Sequence, residues 1–109
     1  MSPIRIYSPL AREAARLLGS RIRLGRKERH WTIRELAERV GISEMTMRKI
    51  EHGDTSVRLG VALEAAALVG VPLFDPDPSR RALERSRVED RLALLPQSVR
   101  RPRRVNDEF

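Results

Sequence analysis

The sequence predicts an all-α fold built on five helices, with a C-terminal helix and a flexible basic tail. Aromatic residues make up only 4% of the 109 residues, while Leu, Ile, Val and Ala recur three and four positions apart, which is the spacing of a helix face. Residues that can cap a helix precede several of these apolar runs, and glycines follow them. The predicted organisation is an N-terminal tail at 1–8, a compact domain at 9–75, the C-terminal helix at 76–96 and the basic tail at 97–109.

The first predicted helix begins at Pro9, because the hydroxyl of Ser8 can cap it and proline loses nothing at the first helical position. We expect it to run to Arg29 without interruption. Gly19 and Gly25 disfavour a helix interior by about 1 kcal/mol each, so a bend near Gly19 is the alternative. Its predicted buried stripe consists of Leu10, Ala14, Leu17, Leu18 and Ile22.

Two short helices joined by a tight turn follow. Thr32 and Glu35 have the spacing of a capping box at the start of the first one. Gly41 ends this helix in a position that favours left-handed backbone, and Ser43 can cap the next helix only two residues later. The second helix is predicted to end near Gly53. The residues expected in their small shared core are Leu36, Ala37, Val40, Ile42, Met47 and Ile50.

The remaining elements are defined by similar signals. Ser56 is the predicted cap of a fourth helix that ends at Gly70, with an apolar stripe of Leu59, Ala62, Leu63, Ala66 and Val69. Val71–Phe74 is predicted to form a turn of helix, with an edge strand as the alternative. Asp77–Ser79 starts the C-terminal helix, which ends before Pro96 and has Val88, Leu92 and Leu95 on one side.

Charge and composition restrict the function. The net charge of +7 is carried almost wholly by arginine, since Lys27 and Lys49 are the only lysines. It favours a polyanionic partner, although an arginine-biased proteome would give the same balance. The absence of cysteine excludes disulfides and cysteine-bound zinc, and His30 and His52 have no carboxylates at metal-ligand spacing, so we expect neither metal nor cofactor. No apolar run could cross a bilayer and the N-terminus lacks a signal-peptide core, so we expect a cytoplasmic protein.

The segment 32–53 is the most informative for function. Its two helices share a core across a glycine turn, so the outer face of the second helix is presented rigidly and would fit the major groove of duplex DNA. The outward positions are Ser43, Glu44, Met45, Thr46, Arg48 and Lys49. By contrast, no spacing combines Ser, His and Asp into a catalytic group and no glycine loop could hold a phosphate, so we expect no enzymatic activity.

These residues resemble the Xre/Cro family of helix-turn-helix regulators. The family pattern is present as Leu36-Ala37, Gly41, Ser43 and Ile50-Glu51-His52-Gly53, and the resemblance extends over roughly 18–74. It implies that Glu44, Met45, Lys49 and Arg48 read base edges, and that Thr32, Ser43 and Thr46 contact phosphates. The alternative is a solvated face.

The resemblance has one departure and one further implication. Many relatives have glutamine in contact with the DNA backbone where this sequence has Ile33, which is expected to pack on Trp31 or a neighbouring chain. Arg34 or Arg23 would then supply the phosphate contact. The resemblance also implies that Arg26 and Glu51 form a structural ion pair.

The flanking segments resemble HipB-type antitoxins. The similar parts are the start at Ser8, the stretch Leu63–Phe74 and the arginine-rich end that closes in Val105-Asn-Asp-Glu-Phe. This resemblance implies a homodimer that represses its own operon by binding an inverted repeat and that binds a HipA-like Ser/Thr kinase toxin. A flexible basic tail with an apolar end could order on such a partner, or could merely aid solubility; its candidate residues are Arg100, Arg101, Arg103, Arg104 and Phe109. A stand-alone phage or restriction-type repressor and a helical adaptor that binds only protein are the alternatives.

Overall fold

The computed structural model describes residues 5–99, which contain five helices and no strand. They are α1 (Pro9–Glu28), α2 (Ile33–Val40), α3 (Glu44–Glu51), α4 (Leu59–Leu68) and α5 (Pro78–Ala93). Helices α1 to α4 belong to one compact unit that ends at Leu73, and α5 belongs to a second unit that begins at Phe74. The predicted all-α class is therefore confirmed.

The predicted caps of α1, α2 and α3 are all present. The hydroxyl of Ser8 accepts a hydrogen bond from the backbone N–H of Ala11 at 3.1 Å. Thr32 and Glu35 bond to each other's backbone N–H, which completes the capping box. Gly41 ends α2 with φ of 85°, a left-handed conformation that costs glycine little. Short polar side chains and one glycine thus set the bounds of the helix pair.

The core of the first unit lies where α1, α2, α3 and α4 meet. Ile22, Leu36 and Met47 are the largest side chains that are completely buried there. Ile50, Val69 and three alanines complete the buried set, which is Ile22, Leu36, Ala37, Met47, Ile50, Ala65, Ala66 and Val69. Small residues from α4 allow the helices to approach closely, so a modest core holds α3 in place.

Helix α1 is continuous through Gly19, as predicted, but its predicted stripe was only partly right. Leu18 and Ile22 pack inward, whereas Leu10, Ala14 and Leu17 are exposed. The buried face instead contains both glycines, because neighbouring backbone lies against them. A β-carbon at position 19 would lie 2.7 Å from the carbonyl oxygen of Glu51, and one at position 25 would lie 2.6 Å from that of Val69.

Helix α4 starts later than predicted. Ser56 does not cap it: its backbone N–H and its hydroxyl both donate to the carboxylate of Asp54, in the turn before the helix. Arg58 occupies the N-cap position without a side-chain cap. Leu59 was predicted to be buried and is 71% exposed, whereas Ala65 is fully buried, because the later start places the alanine face of α4 on the core.

The segment Val71–Phe74 forms neither helix nor strand, so the predicted helical turn was wrong. Gly70 adopts φ of 73° and closes α4, as predicted. The N–H of Val71 then bonds to the carbonyl of Ala66 at 2.9 Å. Pro72 follows without a donor of its own, so no further helical turn is propagated.

Helix α5 starts as predicted, with the carboxylate of Asp77 accepting from the N–H of Ser79 at 2.9 Å and Pro78 at the first helical position. It ends at Ala93, before Pro96. None of its 16 residues is buried, and Val88, Leu92 and Leu95 are all exposed. No helix between residues 5 and 99 is both long and apolar enough to cross a membrane.

Candidate nucleic-acid interface

Helix α3 is anchored by one face and exposed by the other. Met47 and Ile50 point into the core and are almost fully buried. On the opposite side, Met45 is 65% exposed and Lys49 is also exposed. Because the helix repeats every 3.6 residues, the buried and exposed positions separate cleanly into two faces. The exposed face is therefore presented at an angle that the core determines.

A buried ion pair joins α1 to the end of α3. The guanidinium of Arg26 donates to both carboxylate oxygens of Glu51, at 2.7 Å from Nε and 3.0 Å from Nη2. Its Nη1 also donates to the carbonyl oxygen of Trp31 at 2.8 Å. The charged side chains are 9% and 2% exposed. This bidentate geometry holds the last turn of α3 against α1 and against the residue before the α2 cap.

Ser43 and Thr46 lie together at the start of α3. The Ser43 hydroxyl accepts from the N–H of Thr46 at 3.0 Å, and the two hydroxyls lie 2.9 Å apart. Glu44 is half-buried and accepts from Arg48 at 3.3 Å. An exposed pair of this kind contributes little to stability, so both side chains can exchange it for other partners.

The remaining sequence-predicted phosphate residues lie on α1 and on the start of α2. Thr32 is exposed at the α2 N-cap, and Arg34 is 74% exposed in a 3.2 Å pair with Glu38. Arg23 is exposed on α1. Ile33 is half-buried and packs against the core, so an apolar residue there adds to the packing of α2.

Sequence reasoning did not identify two arginines of α1 that lie beside α3. Arg12 and Arg16 border a concave surface whose other lining residues are Met45, Arg48, Lys49, His52, Gly53, Asp54 and Thr55. The only sequence signal was the four-residue spacing of the two arginines, which places them on one side of α1. That spacing could not show which element they would face.

Asp54 is the titratable group whose environment is most clearly altered. Hydrogen bonds from the Ser56 hydroxyl and backbone N–H lower the pKa of the Asp54 carboxyl from its ordinary value, and the charge of Lys49 adds to this effect. The carboxylate is therefore ionised at neutral pH and orders the turn between α3 and α4. It also places one negative charge at the edge of the concave surface.

Two other sets of sequence candidates are placed differently. Within residues 5–99, no three His, Asp or Glu side chains converge as a metal site would require. The proposed tail residues lie outside the described part of the chain; they are Arg100, Arg101, Arg103, Arg104 and Phe109.

Comparison with known proteins agrees with this geometry. A helix-turn-helix family model matches residues 22–75, which include α2, α3, α4 and the second half of α1. No curated protein and no solved structure matches the chain. The matched segment contains the capped helix pair, the glycine turn and the buried ion pair described above. Residues 22–75 are therefore a helix-turn-helix domain of the Xre/Cro type, the domain of a family of DNA-binding regulators.

Proposed function

We propose that this protein is a sequence-specific DNA-binding antitoxin that acts as a homodimer, represses its own operon and neutralises a HipA-like Ser/Thr kinase. The observation that carries the DNA-binding part is the outer face of α3, where Met45, Arg48 and Lys49 are exposed on a helix anchored by its buried side. A helix presented in this way can enter the major groove without first ordering itself.

The side chains on α3 suit different base edges. Lys49 and Arg48 can donate to O6 and N7 of guanine, Glu44 can accept from N4 of cytosine, and Met45 can contact the methyl group of thymine. The hydroxyls of Thr32, Ser43 and Thr46, together with Arg34 and Arg23, are the proposed phosphate contacts. Arg48 reaches a base only by leaving Glu44, and their exposed pair is weak enough to allow it.

The proposed homodimer is supported by the uncovered apolar residues of α5. A helix of 16 residues with no buried side chain gains little from packing within its own chain. Val88, Leu92 and Leu95 recur at helical spacing and would be covered by a second copy. A symmetric dimer that reads an inverted repeat in successive major grooves would place its two α3 helices about 34 to 36 Å apart, or a multiple of that distance.

The toxin-binding part rests on the sequence resemblance to HipB-type antitoxins at Leu63–Phe74 and in the tail. A stand-alone Xre-type repressor without a toxin partner is the alternative, because the helix-turn-helix domain supports DNA binding in both cases. In either case the protein works in the compartment that holds the DNA, which is the cytoplasm.

Two measurements test the proposal. Gel-shift titration against the DNA upstream of its gene, at increasing salt, should give a complex that survives where binding to random DNA is lost. A pull-down from the native host should recover a kinase-like protein encoded beside this gene. Binding to the upstream DNA without a kinase would favour the stand-alone repressor, and no preference for any duplex would overturn the DNA-binding proposal.

A further inference from the structure

Helix α1 extends well beyond the matched helix-turn-helix domain. The domain match begins at residue 22, whereas α1 begins at Pro9. The side chains from Pro9 to Ala14 are all exposed, so this part of the helix adds nothing to the core. Ser8 nevertheless caps it and proline occupies its first position. The extension is thus a well-formed helix whose role lies outside the packing of the domain.

Close backbone contacts fix this extension relative to α3. Gly19 packs on the carbonyl groups of Ile50 and Glu51 at the end of α3. Gly53 packs on Arg16, where a β-carbon at position 53 would lie 2.7 Å from the Arg16 Cα atom and 2.8 Å from its backbone nitrogen. With a rise of about 1.5 Å per residue, α1 continues about 15 Å beyond Gly19 to Pro9.

The side of the extension that faces α3 is basic. Arg12 and Arg16 line the concave surface together with Arg48 and Lys49 of α3. Among the ion pairs of residues 5–99, none involves Arg12 or Arg16. Within the described residues, Asp54 is the one carboxylate in the lining, and its Oδ1 already accepts two hydrogen bonds from Ser56. The surface therefore keeps an excess of positive charge.

An arginine also borders the other side of α3. Thr46 and Lys49 line a second concave surface with Arg58, which precedes α4. The exposed face of α3 thus lies between Arg58 on one side and the α1 arginines on the other. A helix in the major groove, which is about 12 Å wide, likewise has a phosphate backbone on each side.

We propose that Arg12 and Arg16 bind the phosphodiester backbone of the duplex that α3 reads, so that the α1 extension is a second DNA-binding element beside the helix-turn-helix. This inference rests on the proposed DNA-binding function and adds contacts outside the matched domain. Phosphate contacts carry no base information. The two arginines therefore raise affinity for every duplex and set the position of α3 in the groove.

The first test compares Arg12→Gln and Arg16→Gln with Arg21→Gln, an equal loss of charge about 140° around α1 from Arg16. The probes are a duplex that the wild-type protein selects from a random library and a random-sequence duplex of equal length. Arg12→Gln and Arg16→Gln should each weaken binding to both probes about tenfold. Each should also reduce the slope of log Kobs against log salt by about 0.9, whereas Arg21→Gln should change neither quantity.

The second test locates the extension on the DNA. Because the sequence has no cysteine, Arg12→Cys provides a single attachment point for an iron chelate that cleaves nearby DNA. Cleavage should fall on the backbone at one edge of each half-site, and the same reagent on Arg21→Cys should give no such cut.

The outcomes separate this inference from the function on which it rests. Wild-type protein that selects no duplex would overturn both. Selection by the wild-type protein, with Arg12→Gln and Arg16→Gln binding as tightly as Arg21→Gln, would overturn only the role of the extension. Loss of binding to the selected duplex alone would also contradict it, because a backbone contact must affect both probes. Thermal melting of each variant should match the wild type, since the three side chains are exposed.

Discussion

At the scale of single residues, the position of α3 depends most on Arg26. Its guanidinium bonds to Glu51 at the end of α3 and to the carbonyl of Trp31 before α2, while its backbone belongs to α1. One side chain therefore ties three elements together. The pair is buried, so its removal leaves a carboxylate without a partner in a region from which water is excluded.

We expect Arg26→Ala to lower the free energy of unfolding by about 3 to 5 kcal/mol, because Glu51 then remains buried and uncompensated. Chemical denaturation monitored by circular dichroism measures this change. Arg34→Ala removes an equally charged residue from the exposed pair with Glu38 and should cost at most about 0.5 kcal/mol. Equal losses in the two variants would show that the buried pair does not secure α3.

The Asp54 turn gives a prediction about pH. Ser56 lowers the pKa of the Asp54 carboxyl, so the ionised carboxylate stabilises the folded turn at neutral pH. That contribution is lost as the pH falls through the lowered pKa of the folded state. Ser56→Ala should raise the pKa of Asp54 towards 3.8, as measured by NMR titration of its carboxyl carbon. Thr55→Ala serves as control, and an unchanged pKa in Ser56→Ala would contradict the assignment.

At the scale of helices, the sequence predicted starts and ends better than faces. The caps at Ser8, Thr32 and Ser43 could be read because they depend on side chains a few residues apart. The burial of Leu10 and Leu59 was wrong because it depends on how one helix lies against another. Several faces of α1 are rich enough in apolar residues to be candidates, and local spacing does not select among them.

The role of the α1 glycines was missed for a related reason. Glycine disfavours a helix on propensity alone, so Gly19 and Gly25 were interpreted as weak points of α1. In the structure they are the places where α3 and the end of α4 approach the α1 backbone. The base-reading candidates on α3 could be identified early because a local motif carries them, whereas Arg12 and Arg16 required the packing of α1 on α3 to be known.

The two kinds of helical glycine differ in a way that can be measured. Gly19→Ala places a methyl group against the carbonyls of Ile50 and Glu51 and should destabilise the protein by about 1 to 3 kcal/mol. Gly60 lies in α4, and a β-carbon there would meet no neighbour within 4 Å, so Gly60→Ala should stabilise the protein by up to about 1 kcal/mol. Thermal melting reports both signs, and a neutral Gly19→Ala would contradict the close packing of α1 on α3.

At the scale of the whole molecule, the chain combines a reading helix held by its core with a C-terminal helix that gains no burial of its own. The net charge of +7 speeds encounter with DNA at low salt, and the exposed face of α3 supplies selectivity. The proposed dimer would combine these features by bringing two reading helices to one operator.

Truncation after Gln97 tests the proposed role of the basic tail. If the tail binds the kinase toxin, the truncated protein should lose toxin binding in a pull-down by about tenfold or more, because several cations and a terminal aromatic anchor are removed together. Its melting temperature should not change. Undiminished binding to both toxin and operator would exclude the tail from either interaction.

The most direct test of the central claim, that the outer face of α3 reads base sequence, compares Lys49→Ala with wild-type protein on a selected operator and on random DNA of the same length. We predict a loss of about 1 to 3 kcal/mol on the operator, confined to one base position in each half-site, and a much smaller loss on random DNA. Equal losses on the two duplexes would contradict the claim, because Lys49 would then contact only the phosphate backbone.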